Sequence, residues 1–353
     1  MSMARGAERA PYADLEAFAG AYLTRRRMLS SLVILSAALI LTLIVAVSFG
    51  SVSLNLLRAL NDAASADRAI FVGVRLPRVL MGAVVGAVLA SSGVALQALV
   101  RNPLAEGGIL GISGGAAFGA IVALVFLSAT PISDAIVPFI AFGSALIATL
   151  AVYRLALVEG RLEPFTLLLI GVIFNAFWGA AIMLVNSIVD FYYAHSIMFW
   201  LMGSLEAPSY REVAIIGVLA ALGFAVLMVR ARDMNLLSLG DEAAAELGVE
   251  VERLRRVIFF ATSIMIGAAV SVSGIISFVG LIVPHVLRLA LGADHRLLLP
   301  ASLLGGASFM VLADLVARVA IAPAEIPVGA ITALCGGPFF IYMLRRQSRS
   351  FSL

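Results

Sequence analysis

The sequence predicts an all-α polytopic membrane protein with ten transmembrane helices. Hydrophobic residues make up 62% of the 353 positions and charged residues only 13%, and the mean hydropathy is +1.08. This composition lies well outside the range of soluble domains. The apolar runs are long and do not alternate, which favours helices of about 20 residues over the shorter alternating strands of a membrane barrel.

Ten apolar runs are candidate spans. In chain order they cover residues 29–49, 76–100, 109–128, 135–157, 165–188, 213–229, 257–272, 276–291, 297–317 and 328–344. Gly274 interrupts one continuous apolar stretch and divides it into the seventh and eighth spans, each of which is short. Breaks of this kind are tolerated inside the membrane where neighbouring helices form hydrogen bonds with the freed backbone groups.

The arginine distribution predicts the orientation of the chain. The net charge is +3, and all 24 basic residues are arginine. With the N-terminus inside, eighteen arginines lie on the inner side and six on the outer side, which follows the positive-inside rule. We therefore expect a cytoplasmic N-terminal segment (1–28), a membrane domain (29–345) and a cytoplasmic tail (346–353). The N-terminal polar stretch is too long for a cleaved signal peptide.

The composition also excludes several kinds of chemistry. Without lysine the chain has neither a Walker A phosphate loop nor a Schiff-base site. A lone cysteine and three scattered histidines predict no metal site and no resident cofactor. The spans carry no nucleophile with a base and no paired carboxylates, so we expect no enzyme. The acidic residues cluster in loops, with Asp314 as the nearest exception. A secondary transporter driven by an ion gradient, the alternative from another class, would need carboxylates buried in the spans. This distribution therefore disfavours it.

Three arginines are expected on the outer surface. Arg75 and Arg78 flank Pro77 at the mouth of the second span, and Arg318 closes the ninth. Guanidinium groups bind carboxylates in a planar fork, so these side chains either dock an acidic soluble partner or extend to lipid phosphates. We expect Glu325, in the outer loop nearby, to pair with Arg318.

Two inner segments have local helix signals. Pro103 suits the first position of a helix that Asn102 would cap, so this turn is either an ordinary capped turn or the lining of a gate. The polar insert 232–256 is the longest between the spans. Asp241 starts a helix-forming stretch that Gly248 would stop, which predicts one short helix. The arginines after it are expected to reach anionic lipid. The insert is either a docking site for a partner or a solvated loop.

The motifs, taken together, resemble one family. They are RLPR (75–78), ALQALVRNPLAEGGILGISGGA (95–116), NLLSLGDEAAAELGV (235–249), SGIISFVGLIVPHVLRL (273–289), DHRLLLPASLLGGASFMVLADLVAR (294–318) and AEIPVGAITALCGGPFFIYML (324–344). This set resembles the FecCD-type permeases of type II ABC importers, which carry ferric siderophores, haem or cobalamin. The resemblance implies a homodimer around a central pathway in the bacterial inner membrane. It also implies two cytoplasmic subunits that bind ATP and Mg²⁺, and a periplasmic binding protein that delivers the cargo.

The resemblance assigns roles to particular positions. Arg75, Arg78 and Arg318 match the family's external arginines, which meet glutamates of the binding protein. Asn102 and Leu104 match the loop of the cytoplasmic gate. Pro164 and Phe165 match a second segment of this gate, where cobalamin permeases carry small hydroxyl residues. The residues that match the segment coupling the permease to the ATPase are Leu236, Leu237, Leu239, Gly240, Asp241, Glu242, Ala243, Ala244, Leu247 and Gly248.

The function expected from these observations is that of a permease subunit without an ATPase site of its own. An iron chelate, foremost a ferric siderophore, would pass by alternating access from a periplasmic binding protein to the cytoplasm. Cobalamin and haem are the alternatives within the family. The expected partners are a second copy of the chain, two ATP-binding subunits, the binding protein and membrane lipid, with no nucleic acid.

Overall fold

The computed structural model describes residues 23–127, 133–205 and 208–350. Most of the predicted N-terminal segment and the last three residues of the predicted tail lie outside these ranges. Within them, seven helices are long and apolar enough to cross a membrane, and three further apolar helices are shorter. The described chain is therefore a multi-pass membrane protein.

The elements follow one another as a chain of helices with one small hairpin. They are α1 (Arg25–Ser48), α2 (Leu56–Asn61), α3 (Ala66–Ile70), α4 (Leu76–Val100), α5 (Ile112–Phe126), α6 (Ser133–Leu155), β1 (Leu157–Val158), β2 (Arg161–Leu162), α7 (Pro164–Ile188), α8 (Phe191–Met202), α9 (Tyr210–Val229), α10 (Ala231–Leu237), α11 (Asp241–Glu246), α12 (Val251–Ser273), α13 (Val279–Leu291), α14 (His295–Val319) and α15 (Val328–Ser350). A π-helical turn, Phe71–Arg75, joins α3 to α4.

Each of the ten predicted spans coincides with one helix, but three of these helices are shorter than a full span. The short ones are α5, α13 and the apolar part of α15, so the count of ten crossings stays a prediction. The break at Gly274 is confirmed, because α12 ends at Ser273 and Gly274 has a φ of +67°. A Cβ at Gly274 would lie 2.2 Å from the carbonyl oxygen of Trp200, so the close approach requires glycine.

The core lies around two central helices. In the most apolar stretches of the α3–α4 helix and of α12, 78% and 72% of the residues are buried. In those of α7 and α9, only 11% and 17% of the residues are buried. Among the described helices the most extensive packing joins α4 to α14, and small residues at such crossings let helix backbones approach in a membrane. The peripheral helices therefore present apolar faces to lipid or to another protein.

The hairpin connects α6 to α7 through a tight turn. Leu157 pairs with Leu162 and Val158 with Arg161 in antiparallel register. Both residues of the two-residue turn, Glu159 and Gly160, have positive φ, which is the geometry of a type I′ turn. The hairpin places the start of α7 beside the loop that follows α4.

Candidate functional site

A cavity of about 1050 Å³ opens on the side of the protein that is predicted to be cytoplasmic. We call it the inner cavity. It is lined by Val100, Arg101, Asn102, Pro103, Val158, Glu159, Arg161, Leu162, Glu163, Pro164, Phe165, Leu168, Asp241, Glu242, Ala245, Glu250, Val251, Glu252, Arg253, Arg255 and Arg256. They include residues of the predicted gate and of the predicted coupling segment, together with the hairpin. The structure thus brings together two sets of residues that the sequence keeps far apart.

The first gate segment is the loop between α4 and α5. Helix α4 ends at Arg101, which adopts a left-handed conformation with φ of +51°. The Asn102 side-chain oxygen accepts a hydrogen bond from the backbone N–H of Leu104 at 2.9 Å. The prediction that Pro103 starts a helix is wrong, because Asn102 closes a turn instead and the next helix begins only at Ile112. Leu104 lies beside the cavity lining and is part-exposed.

The second gate segment begins α7. Pro164 occupies the first turn of the helix, and Glu163 caps it by accepting backbone hydrogen bonds from Phe165 and Thr166. Burial acts to raise the pKa of the Glu163 carboxyl, but these hydrogen bonds outweigh it and lower the pKa. The capped end fixes Phe165 with most of its side chain exposed at the cavity.

The coupling segment forms two short helices, α10 and α11. The sequence predicted one short helix here, and α11 matches it, with acidic residues in its first turn and Gly248 after its end with a φ of +89°. Helix α10 was not predicted. Leu237 and Ala244 are fully buried, which anchors the segment. Leu239 and Leu247 are 65% and 60% exposed, so the segment presents two apolar side chains outward.

An asparagine missed by the sequence reasoning ties α10 to α14. The Asn235 side-chain oxygen accepts the backbone N–H of His295 at 2.9 Å and lies 2.7 Å from its ring Nδ1. Its amide donates to Asp294 at 2.9 Å. Burial acts to raise the pKa of Asp294, but hydrogen bonds from Arg296 and Asn235 lower it to about 2. The sequence signal for this contact is Asp294 followed by His295 at the start of α14. Their partner, Asn235, is remote in sequence, so the signal did not identify it.

The arginines after α11 differ in environment. Arg253 and Arg256 are exposed, whereas Arg255 is buried and forms ion pairs with Asp241 and Glu252. The expectation that these arginines reach lipid is therefore wrong for Arg255. Its guanidinium is held by one carboxylate of α11, Asp241, and one of its own helix α12, Glu252.

A further carboxylate, Glu106, links the first gate loop to α13. Its Oε2 accepts the backbone N–H of Phe278 at 3.0 Å. Burial raises the pKa of this loop carboxyl to about 7, although the hydrogen bond acts to lower it. Gln97 donates to the carbonyl oxygen of Gly280 and accepts a hydrogen bond from Arg288. Three hydrogen bonds thus join the last turn of α4 and the loop after it to α13 and the residue before it.

The three arginines predicted on the outer surface are buried. Arg75, Arg78 and Arg318 are 4%, 7% and 3% exposed. Arg78 contacts Asp314 at 2.9 Å and Glu325 at 2.8 Å. The expectation of exposed side chains is wrong, because these guanidinium groups are used inside the fold.

The remaining contacts complete this outer cluster. Arg318 reaches the other oxygen of Asp314 at 2.9 Å, one helical turn away. Arg75 donates to the carbonyl oxygens of Val47 and Ser48 at the end of α1 and of Val52 in the segment that follows. Glu325 pairs with Arg78 and not, as the sequence suggested, with Arg318. The docking role of these arginines stays a prediction.

The fold and the inner cavity define a transport subunit. The described helices carry no group of three or more His, Cys, Asp or Glu residues that could hold a metal ion. The site instead consists of the coupling helix α11, the loop after α4 and the start of α7, which border one cavity. The chain is an ABC transporter permease and belongs to the FecCD transport family, whose model matches residues 38–346.

Relatives and a solved structure agree with this assignment. The chain is 46% identical to the cobalamin import system permease protein BtuC of Halobacterium salinarum over 77% of this chain and 72% of that protein. It is 41% identical to the hemin transport system permease protein HmuU of Yersinia pestis over 91% and 96%. A solved inward-facing conformation of a metal-chelate type ABC transporter matches with a TM-score of 0.79 and 33% identity, covering 90% of this chain and 99% of that one.

Proposed function

We propose that this chain is the permease subunit of an ATP-driven importer that carries an iron chelate, foremost a ferric siderophore, into the cytoplasm. The observation that supports this most directly is the inner cavity, where the coupling helix and both gate segments border one space. Haem and cobalamin are the alternative cargoes, favoured by the names of the relatives HmuU and BtuC. All three are large chelates or macrocycles, which suits a chain whose described residues include no cluster of three or more His, Cys, Asp or Glu residues for a bare ion.

A second copy of the chain would complete the pathway. Helix α7 is the least buried of the long helices, and Val172, Phe177 and Met183 are among its exposed apolar residues. An apolar surface of this kind favours an interface with protein or lipid. We propose that α7 faces its counterpart across the central pathway, with its gate end at the inner cavity.

The coupling segment would seat on the ATPase. Leu239 and Leu247 are exposed beside the acidic start of α11, whereas Leu237 and Ala244 hold the segment to the protein. ATP-driven closure of two such subunits would move α11 relative to the gate loops and switch access between the two faces. A periplasmic binding protein would dock at the opposite end, near the outer cluster, where Glu325 is the most exposed member.

Reconstitution tests this function. The purified chain, its ATPase and its binding protein would be placed in liposomes, and uptake of a ferric siderophore, haem and cobalamin would be measured with ATP inside. We expect uptake that vanadate abolishes and that requires both partners. Uptake that continues without nucleotide, or that follows an imposed ion gradient, would replace this proposal with a secondary transporter.

The exposed leucines of the coupling segment provide a sharper test of ATPase docking. Changing Leu239 and Leu247 together to Asp should abolish co-purification of the ATPase, because each buried leucine contributes about 1.5–3 kcal/mol at an interface core. The matched control is Leu57→Asp, which changes an equally exposed leucine on the outer side. Normal co-purification of the double variant, measured at equal expression, would contradict docking at this segment.

A further inference from the structure

One carboxylate, Asp241, connects the coupling helix to both gate segments. It is the first residue of α11 and lies between two arginines from other elements. Arg255 of α12 donates from Nη2 to both carboxylate oxygens at 2.7 and 2.9 Å. Arg101, at the end of α4, brings its own Nη2 within 3.3 Å of Oδ1. A single side chain therefore contacts both arginines at once.

The Arg101 contact leads to the first gate segment. Arg101 directly precedes Asn102, and its left-handed backbone ends α4 at a fixed angle. Its guanidinium also lies over the turn before α11, because a Cβ at Gly240 would be 3.7 Å from Nη1. A displacement of the start of α11 would therefore act directly on the residue next to the gate loop.

The Arg255 contact leads to the second gate segment. Arg255 donates from Nη1 to the carbonyl oxygen of Leu162 at 3.2 Å. The backbone N–H of Leu162 in turn donates to Glu252, one turn before Arg255, at 2.9 Å. Because Leu162 directly precedes the Glu163 cap of α7, the hairpin end and the start of α11 are held by one guanidinium.

The two arginine contacts differ in strength. The side chain of Arg255 is 5% exposed and bonds both Asp241 oxygens, which is the geometry of a firm charge-assisted contact. The side chain of Arg101 is 42% exposed and makes one longer contact. Exposed ion pairs of that type contribute little to stability. The Arg255 contact thus serves as an anchor, and the Arg101 contact can break and re-form at small cost.

We propose that Asp241 is the positioning residue that transmits movement of the coupling helix to both gate segments. Arg255 keeps the second gate segment attached to Asp241 throughout the cycle. The contact between Arg101 and Asp241, which connects the first gate segment to α11, forms in one state of the cycle only. This inference rests on the proposed function, since it concerns how ATP-driven movement reaches the gates. It assigns to Arg101 a role in coupling that is separate from folding and from ATPase binding.

The test compares transport with ATP hydrolysis in the reconstituted complex. Arg101→Ala should lower uptake per ATP hydrolysed about tenfold, the size of effect that single coupling contacts produce. ATPase activity and ATPase co-purification should stay near those of the unaltered complex. Arg101→Lys, which keeps the charge, should restore most of the ratio. The matched control is Arg253→Ala, since Arg253 lines the same cavity and pairs with Glu250 away from Asp241.

The outcomes separate this inference from the proposed function. If the unaltered complex shows no nucleotide-dependent uptake, the proposed function fails. If it couples normally and Arg101→Ala has the same ratio of uptake to hydrolysis, the link through Asp241 is overturned. Loss of ATPase co-purification in Arg101→Ala would also overturn it, because Arg101 would then act in docking or folding.

Discussion

Replacing Asp314 with alanine is expected to lower the free energy of unfolding by about 3–5 kcal/mol, a large fraction of the total stability of a folded protein. Asp314 is 1% exposed and contacts Arg78 and Arg318 through its two oxygens. Its removal would leave two buried guanidinium groups facing each other with only Glu325 as a carboxylate partner. The effect would be measured as yield and as the thermal unfolding midpoint of the purified protein in detergent.

Two companion variants locate the cause of this loss. Asp314→Asn keeps the volume but removes the charge, so it should lose nearly as much stability as alanine. Glu325→Gln changes the more exposed partner of the same arginine and should cost less than about 1 kcal/mol. An unfolding midpoint for Asp314→Ala as high as that of Glu325→Gln would show that the cluster does not stabilise the fold.

The same contacts change how docking of the binding protein has to be tested. Reversing the charge of Arg78 or Arg318 would place a carboxylate against Asp314 inside the protein, so weaker docking would follow from unfolding alone. Glu325→Gln leaves the cluster assembled while removing the one carboxylate that is accessible from outside. Its effect on binding-protein affinity therefore reports on the surface and not on the fold.

The sequence was sufficient where a signal is local. Hydropathy located the seven long apolar helices and the three shorter ones. Gly274 divided the seventh predicted span from the eighth, and the acidic start and glycine stop of α11 marked a short helix at the right residues. Helix α8 was missed because its apolar run is 12 residues long, too short to be recognised as a span. Hydropathy alone therefore does not identify a helix of this length.

Contacts between remote residues explain the remaining failures. Arg78 and Asp314 are 236 positions apart, and no feature near either one shows that they meet. From the sequence, Asp314 was an unusual carboxylate and the three arginines formed a group, but the arginines were expected on the outer surface, where they would dock an acidic partner or extend to lipid phosphates. The inner cavity is similar, since its gate and coupling residues were predicted separately and only the fold places Asp241 against Arg101.

Gly86→Ala is expected to disrupt the protein at the crossing of α4 and α14. A Cβ at Gly86 would lie 2.1 Å from the carbonyl oxygen of Gly306, and one at Gly306 would lie 2.3 Å from that of Gly86. Both of these contacts are with backbone atoms, so no change of side-chain rotamer can relieve the clash. The cost should exceed the roughly 1–3 kcal/mol of ordinary overpacking, seen as a lower unfolding midpoint and yield.

The control is Gly217→Ala in α9, where an added Cβ would meet no atom within 4 Å. Alanine is a better helix former than glycine by about 0.5–1 kcal/mol, so this variant should be as stable as the unaltered protein or more so.

The helices that cross at Gly86 also carry Arg78 and Asp314. Forcing them apart should weaken that ion pair, so Gly86→Ala and Asp314→Ala combined should cost less than the sum of the two alone. Strict additivity in the unfolding free energies would show that the crossing and the outer cluster are independent.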